Sequence, residues 1–243
     1  MKIAIISDIH GNLEALQAVV EDLKSQDIGV VYCLGDVVGY GPDPLKCLGI
    51  VSSLCQKMIK GNHEECVCNA VMEKELNLYA IEGVRYARKN LSEEAIKAIA
   101  NLPHTINIPE LDMVLCHGSF SEPSLWNYID AKHKAREELK ITPSRICLVG
   151  HTHNPFVFGS KNGLYEFLTD DMVLDKDQKF IVNVGSVGQP RDGDCRACYG
   201  IFDFGDNVTF TLRRVFYNIA KTESAIKYAS LSSYLSDRLF KGA

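Results

Sequence analysis

The chain opens on an alternation that leaves few folds open to it. Lys2 to Ser7 is a short β-rich apolar run, Asn12 to Ser25 carries Leu13, Leu16, Val19, Val20 and Leu23 at helical spacing, and Val30 to Leu34 returns to an apolar strand. A third unit ends in a strand at Lys57 to Lys60. Strands alternating with amphipathic helices predict βαβ units and a largely parallel sheet, because parallel neighbours need a crossover.

From Glu64 to about Leu102 the pattern is helical, with Met72, Leu76, Tyr79, Ala80 and Val84 as a buried stripe. Ser92, followed by Glu93 and Glu94, predicts a helix start there, since a serine cap and early acids suit exposed amides. Strands resume at Asp112 to Cys116, Arg145 to Val149, Phe156 to Phe158, Lys179 to Val184, Tyr199 to Phe204 and Val208 to Phe216. The short gap Gly205-Asp206-Asn207 predicts an antiparallel hairpin, and Thr222 to Leu239 a closing helix. The expected architecture is one α/β domain over residues 1–243, with two mixed β-sheets packed as a sandwich flanked by helices and a helical excursion at about 64–102.

The formal charge of -5 provides no basic footprint, so neither general nucleic-acid binding nor membrane-surface binding is expected. Positive charge for a phosphate-bearing substrate would have to come from elsewhere, such as bound metal. Nine cysteines at irregular spacing, several inside apolar runs, suit reduced thiols and a cytoplasmic location better than a disulfide framework. The run Ile3-Ala4-Ile5-Ile6 is too short for a signal-peptide core, and no segment is apolar enough to span a membrane.

Five loops each begin where an apolar run ends: Asp8-Ile9-His10, Gly35-Asp36, Gly61-Asn62-His63-Glu64, His117-Gly118 and Gly150-His151-Thr152-His153. In open α/β sheets such loops converge on one edge. Carboxylates, imidazoles and an amide form a mixed nitrogen and oxygen set suited to divalent Mn, Fe, Zn or Ni, and the absence of cysteine from these loops argues against a closed structural zinc site. Taken singly, each piece is better read as a strand-end cap or turn; the five in this order predict a metal site. Ser7, Ser119 and Ser186 lack the setting of a serine nucleophile.

At these residues the chain resembles the calcineurin-like metallophosphoesterase family, and Asn183 to Arg191 resembles a late segment of its smaller bacterial and archaeal members. The resemblance implies an α/β/β/α fold and two divalent ions, one on Asp8, His10, Asp36 and His153, the other on Asp36, Asn62, His117 and His151, with Asp36 bridging. It implies hydrolysis of a phosphodiester, phosphomonoester or nucleotide polyphosphate by a metal-bridging hydroxide, with His63 as general acid. Dinucleoside polyphosphate hydrolases of the same superfamily make nucleotides a candidate substrate class.

Around this set, Arg191 is a candidate phosphate contact through its guanidinium fork, with a turn-ordering role as the plainer reading. Tyr40, in Gly39-Tyr40-Gly41-Pro42-Asp43-Pro44, is a candidate stacking residue at the site mouth, although the segment requires only a turn. Glu64 and Asp43 read as structural, His104 and His133 as surface or cap histidines, Cys66-Val67-Cys68 as helix packing, and Cys195-Arg196-Ala197-Cys198 as a poor redox motif with no helix start after it. The rival reading is a catalytically weak interaction scaffold of the same fold, like the phosphoesterase-like subunit of retromer. That scaffold lacks the histidine corresponding to His63. The oligomeric state is left open.

Overall fold

The computed structural model describes residues 1–165 and 171–243. The first βαβ units run β1 (Lys2–Ile6), α1 (Leu13–Ser25), β2 (Val30–Cys33), α2 (Pro44–Leu54) and β3 (Lys57–Met58). The helical excursion follows as α3 (Asn62–Cys68), a 3-10 turn (Ala70–Glu75), α4 (Leu78–Asn90) and α5 (Glu93–Ala100). Next come β4 (Thr105–Ile108), β5 (Met113–Cys116), α6 (Lys132–Ile141), β6 (Ile146–Val149), β7 (Phe156–Gly159) and β8 (Gly163–Tyr165). The chain closes with β9 (Met172–Val173), β10 (Phe180–Asn183), β11 (Ala197–Phe204), β12 (Val208–Val215), α7 (Ile219–Tyr228) and α8 (Ser233–Lys241).

Two mixed sheets result, in the orders β3-β2-β1-β11-β12-β9 and β4-β5-β6-β10-β7-β8. β1 runs parallel to β2 and antiparallel to β11, while β6 runs parallel to both β5 and β10. The two-residue period of a strand builds the layers. Ile3 and Ile5 of β1 point into the space between the sheets with Leu115, Leu148, Val182 and Phe202, while Ala4 and Ile6 pack on Leu16 and Val19 of α1. On the second sheet Cys147, Val149 and Ile181 face outward onto Ala135 and Leu139 of α6. Each buried aliphatic side chain contributes roughly 1.5–3 kcal/mol, so a one-residue slip in either sheet would turn two cores inside out.

The hairpin predicted at Gly205-Asp206-Asn207 joins β11 and β12. The closing helix departs from expectation, because it is two helices. Ile226, Leu231, Leu235 and Leu239 share one buried cluster with Tyr40 and Ala80. The five-residue step from 226 to 231 would swing Leu231 off a continuous helical face. Ser230 instead turns left-handed at φ 57, and Ser232 accepts a hydrogen bond from the Tyr234 amide to start α8. The excursion is tied internally by Arg88, which donates to the Cys66 and Val67 carbonyls and pairs with Glu73, as Arg85 also does.

Candidate metal centre

Five of the strands that run parallel to a neighbour end on one edge. β1 delivers Asp8 and His10, β2 Asp36, β3 Asn62 and His63, β5 His117, and β6 His151 and His153. All seven predicted ligands and His63 come together there, and all but the half-buried Asn62 are buried, Asp8, His10, Asp36, His117 and His153 at 1% exposure or less. Ligand atoms of Asp8, His10 and His153 lie within 4.8 Å of one another, as do those of Asp36, His117 and His151, and those of His10, Asp36 and His63.

The tautomers follow from the contacts. The Nδ1 atoms of His10, His117 and His153 face the carbonyls of Val38 at 3.2 Å, Leu34 at 2.7 Å and Gln189 at 2.6 Å. A carbonyl only accepts, so Nδ1 carries a hydrogen in all three, and in the neutral rings of His10 and His153 Nε2 presents its lone pair inward. His10 Nε2 faces His153 Nε2 at 3.1 Å. Asp8 Oδ1 lies 3.2 Å from His153 Nε2, and Asp36 Oδ2 lies 3.2 Å from His117 Nε2. Asp8 Oδ1, Asn62 Oδ1 and His117 Nε2 are buried with no hydrogen-bond partner, a costly state for polar atoms in a protein interior.

Backbone strain is concentrated at the same place. Asp8, His10, Asp36, Tyr40, His151 and His153 all have φ between 49° and 64°, six of the ten non-glycine residues with positive φ among those described. Such conformations cost about 1–3 kcal/mol each and persist only where neighbours hold them. Glu64 supplies one such hold. Its carboxylate accepts the amides of Asp36, Val37, Val38 and Gly61, clamping the β2 loop to the start of α3. A side chain at Gly61 would collide with the Asp36 carboxylate that this clamp sets in place. The late segment holds the other loops. Ser186 donates to the Asp8 carbonyl at 2.8 Å, the Gly188 amide to the same oxygen at 2.9 Å, and Asn183 to the Gly150 carbonyl at 2.6 Å. Ser7, excluded as a nucleophile, donates to Asp8 Oδ2.

Burial and mutual proximity govern the charges. Burial opposes ionisation of both carboxylates, yet the surrounding rings, His153 and His117 for Asp8 and His117 and His63 for Asp36, hold them below the usual carboxylate range. Burial, with neighbouring cationic groups, keeps His10 and His153 neutral and pushes His151 down to about 3. His117 differs. Burial disfavours its charge, but the Asp36 carboxylate outweighs that and raises it to about 10. Glu64 is pushed up to about 7, by burial first and then by Asp36.

A cleft of about 960 Å³ opens from this cluster, lined by Asn62, His63 and Arg191 and by Leu76, Trp126 and Tyr128. Tyr40 lies deeper than the mouth position expected for it. It is 5% exposed, and its ring packs on His10 and His63 with centroids 4.7 Å away in each case. Arg191 donates to Gln189 Oε1 at 3.1 Å and to the Tyr40 hydroxyl at 3.4 Å, while its buried Nε has no partner.

Residues 1–207 match the family model described as the calcineurin-like phosphoesterase superfamily domain. The chain belongs to that family. It is 36% identical over 242 residues to an uncharacterized protein of Methanocaldococcus jannaschii, covering 99% of this chain and 98% of the other. A serine/threonine-protein phosphatase 2 of Escherichia coli is 25% identical over 201 residues, covering 78% and 88% respectively. The crystal structure of a metallophosphoesterase from Sphaerobacter thermophilus superposes with a TM-score of 0.87 at 35% identity, covering 100% and 99%.

For a metal-dependent phosphoesterase the donor set is chemically apt: inward-turned imidazole Nε2 atoms, two ionised carboxylates and an unpaired amide oxygen suit divalent ions. The remaining cysteines play no part in it. Cys198 is buried in β11 with its thiol toward the Val184 carbonyl, and all nine thiols are free. His133 is exposed, whereas His104 is half-buried against Trp126. Trp126 and Tyr128 were not among the candidate residues. The one available signal was an aromatic pair, including the only tryptophan, in the long connection between His117 and α6.

Proposed function

We propose that the chain is a two-metal phosphoesterase in which Asp8, His10, Asp36 and His153 hold one divalent ion and Asp36, Asn62, His117 and His151 the other. The observation that carries this reading is the convergence of three Nε2 atoms, each turned inward by a backbone carbonyl on Nδ1, with unpartnered Asp8 and Asn62 oxygens in one buried space. Such ions, drawn from Mn, Fe, Zn or Ni, supply positive charge to the phosphoryl oxygens and activate a water.

The chain's own groups divide the remaining work. His63 stands beside the cluster with Nε2 4.0 Å from Asp36 Oδ2, and donates a proton to the leaving oxygen. Burial holds His63 down to about 4, with Asp36 pulling the other way, so it takes up its proton together with a negatively charged phosphate. Arg191 offers its unpartnered Nε to a phosphoryl oxygen, and Tyr40 props the rings of His10 and His63 from beneath. The cleft volume fits an ester larger than inorganic phosphate. Nine free thiols support a reducing, cytoplasmic setting.

The test is hydrolysis of a panel of phosphomonoesters, phosphodiesters and nucleotide polyphosphates by metal-depleted protein reloaded with Mn, Fe, Zn or Ni. Turnover on at least one class that disappears on chelation is expected. No turnover on any class would favour the scaffold.

A further inference from the structure

Three of the clustered imidazoles are fixed by a backbone carbonyl, but His151 is not; its ring makes no hydrogen bond among the described residues. What lies against it is Tyr128. The two rings stack with centroids 4.2 Å apart and planes 9° from parallel. The Arg191 guanidinium lies near the Tyr128 phenol.

The second face is uncovered. Tyr128 is 44% exposed although one side of its ring is against His151, and it lines the cleft together with Leu125, itself 56% exposed, and with Leu76 and Met72. A large apolar surface beside a buried polar cluster is where an apolar portion of a ligand goes. A rigid aromatic face loses little freedom when a second ring stacks on it.

We propose that the outer face of Tyr128 is the platform for a flat aromatic group, such as a nucleobase, attached through its ester to the phosphoryl group held at the metal centre. The proposal rests on the phosphoesterase reading and adds the substrate class to it. Tyr128 takes no part in bond making or breaking. It positions the ester group.

The experiment compares two phosphate ligands that differ only in the ring: adenosine 5′-monophosphate and ribose 5-phosphate. Their dissociation constants are measured by calorimetry on the metal-loaded wild type and on Tyr128→Phe and Tyr128→Ala, with metal content determined on each preparation. The wild type is expected to prefer the monophosphate bearing the base by about three- to tenfold, the range of an aromatic pair. Tyr128→Phe should keep that preference, and Tyr128→Ala should lose it while still binding ribose 5-phosphate and both metals. An unchanged preference in Tyr128→Ala, or no preference in the wild type, overturns the proposal. Loss of metal or equal loss of both ligands in Tyr128→Ala also overturns it, since the ring would then act only as a prop. Binding is read without turnover, so absent hydrolysis would defeat the phosphoesterase reading without deciding this one.

Discussion

His10 and His153 face each other through their Nε2 atoms at 3.1 Å, and neither atom carries a hydrogen, because each ring spends its Nδ1 hydrogen on a backbone carbonyl. Two opposed lone pairs at that distance repel. A cation between or beside them removes the conflict, and the Asp8 carboxylate 3.2 Å from His153 Nε2 adds negative charge for it.

Divalent metal should therefore stabilise the folded protein through this pair. Adding excess Mn to metal-depleted protein should raise the melting temperature by several degrees, as binding to the native state alone requires. In His10→Ala the rise should be reduced by half or more. An equal rise in the variant would separate the pair from metal binding.

His117 links metal binding to pH. Its raised value, about 10, means that a proton occupies the His117–Asp36 pair at neutral pH, when burial is outweighed by the carboxylate. An incoming metal displaces that proton, so apparent affinity should rise about tenfold per pH unit between pH 7 and 9 and level off as pH approaches 10. Calorimetry in two buffers of different ionisation enthalpy should show release of about one proton. No release would contradict the ion pair.

His63→Ala should keep its metal content yet lose about 10²- to 10⁴-fold in turnover for substrates with poor leaving groups. Substrates with good leaving groups should lose far less, since they need no proton. Equal losses on both would remove the acid role.

Glu64→Gln leaves the volume unchanged but turns an acceptor of four amides into a group half composed of donors. An unsatisfied buried amide costs about 1–3 kcal/mol, so denaturant unfolding should show a loss of at least that size. Metal affinity should fall with it, because Asp36 is on the clamped loop. A variant as stable as the wild type would show the loop to be held elsewhere.

The site was legible wherever an apolar run of four or five residues stopped abruptly at Asp, Asn or His, as Ile3 to Ile6 does before Ser7-Asp8. Parallel topology brings such ends to one edge, but the expected largely parallel sheet is corrected: among the described residues six strand pairs are antiparallel and four parallel, because β4, β7, β8, β9, β11 and β12 pair through returning connections rather than crossovers. Less was visible where structure depends on contacts across the chain. α6 buries only Ala135, Glu138 and Leu139, too few apolar positions to announce a helix, and β4 pairs with β5 along one edge with just Ile108 fully buried. The depth of Tyr40 arises from α8 folding over it, and the stack of Tyr128 on His151 joins residues 23 positions apart with no periodic pattern between them. Glu64 gave no sign of its four amides, since a clamp on backbone N–H groups leaves no mark on the sequence of the loop it holds.

The most direct test of the account is the number of metal ions per chain, measured by elemental analysis on the same preparation whose phosphoester hydrolysis is assayed, as metal is titrated into the depleted protein. Activity should rise to a plateau at two equivalents, and Asp36→Ala, which removes the shared carboxylate, should weaken binding of both. Full activity with no bound metal, or a plateau at one equivalent unchanged in Asp36→Ala, would contradict it.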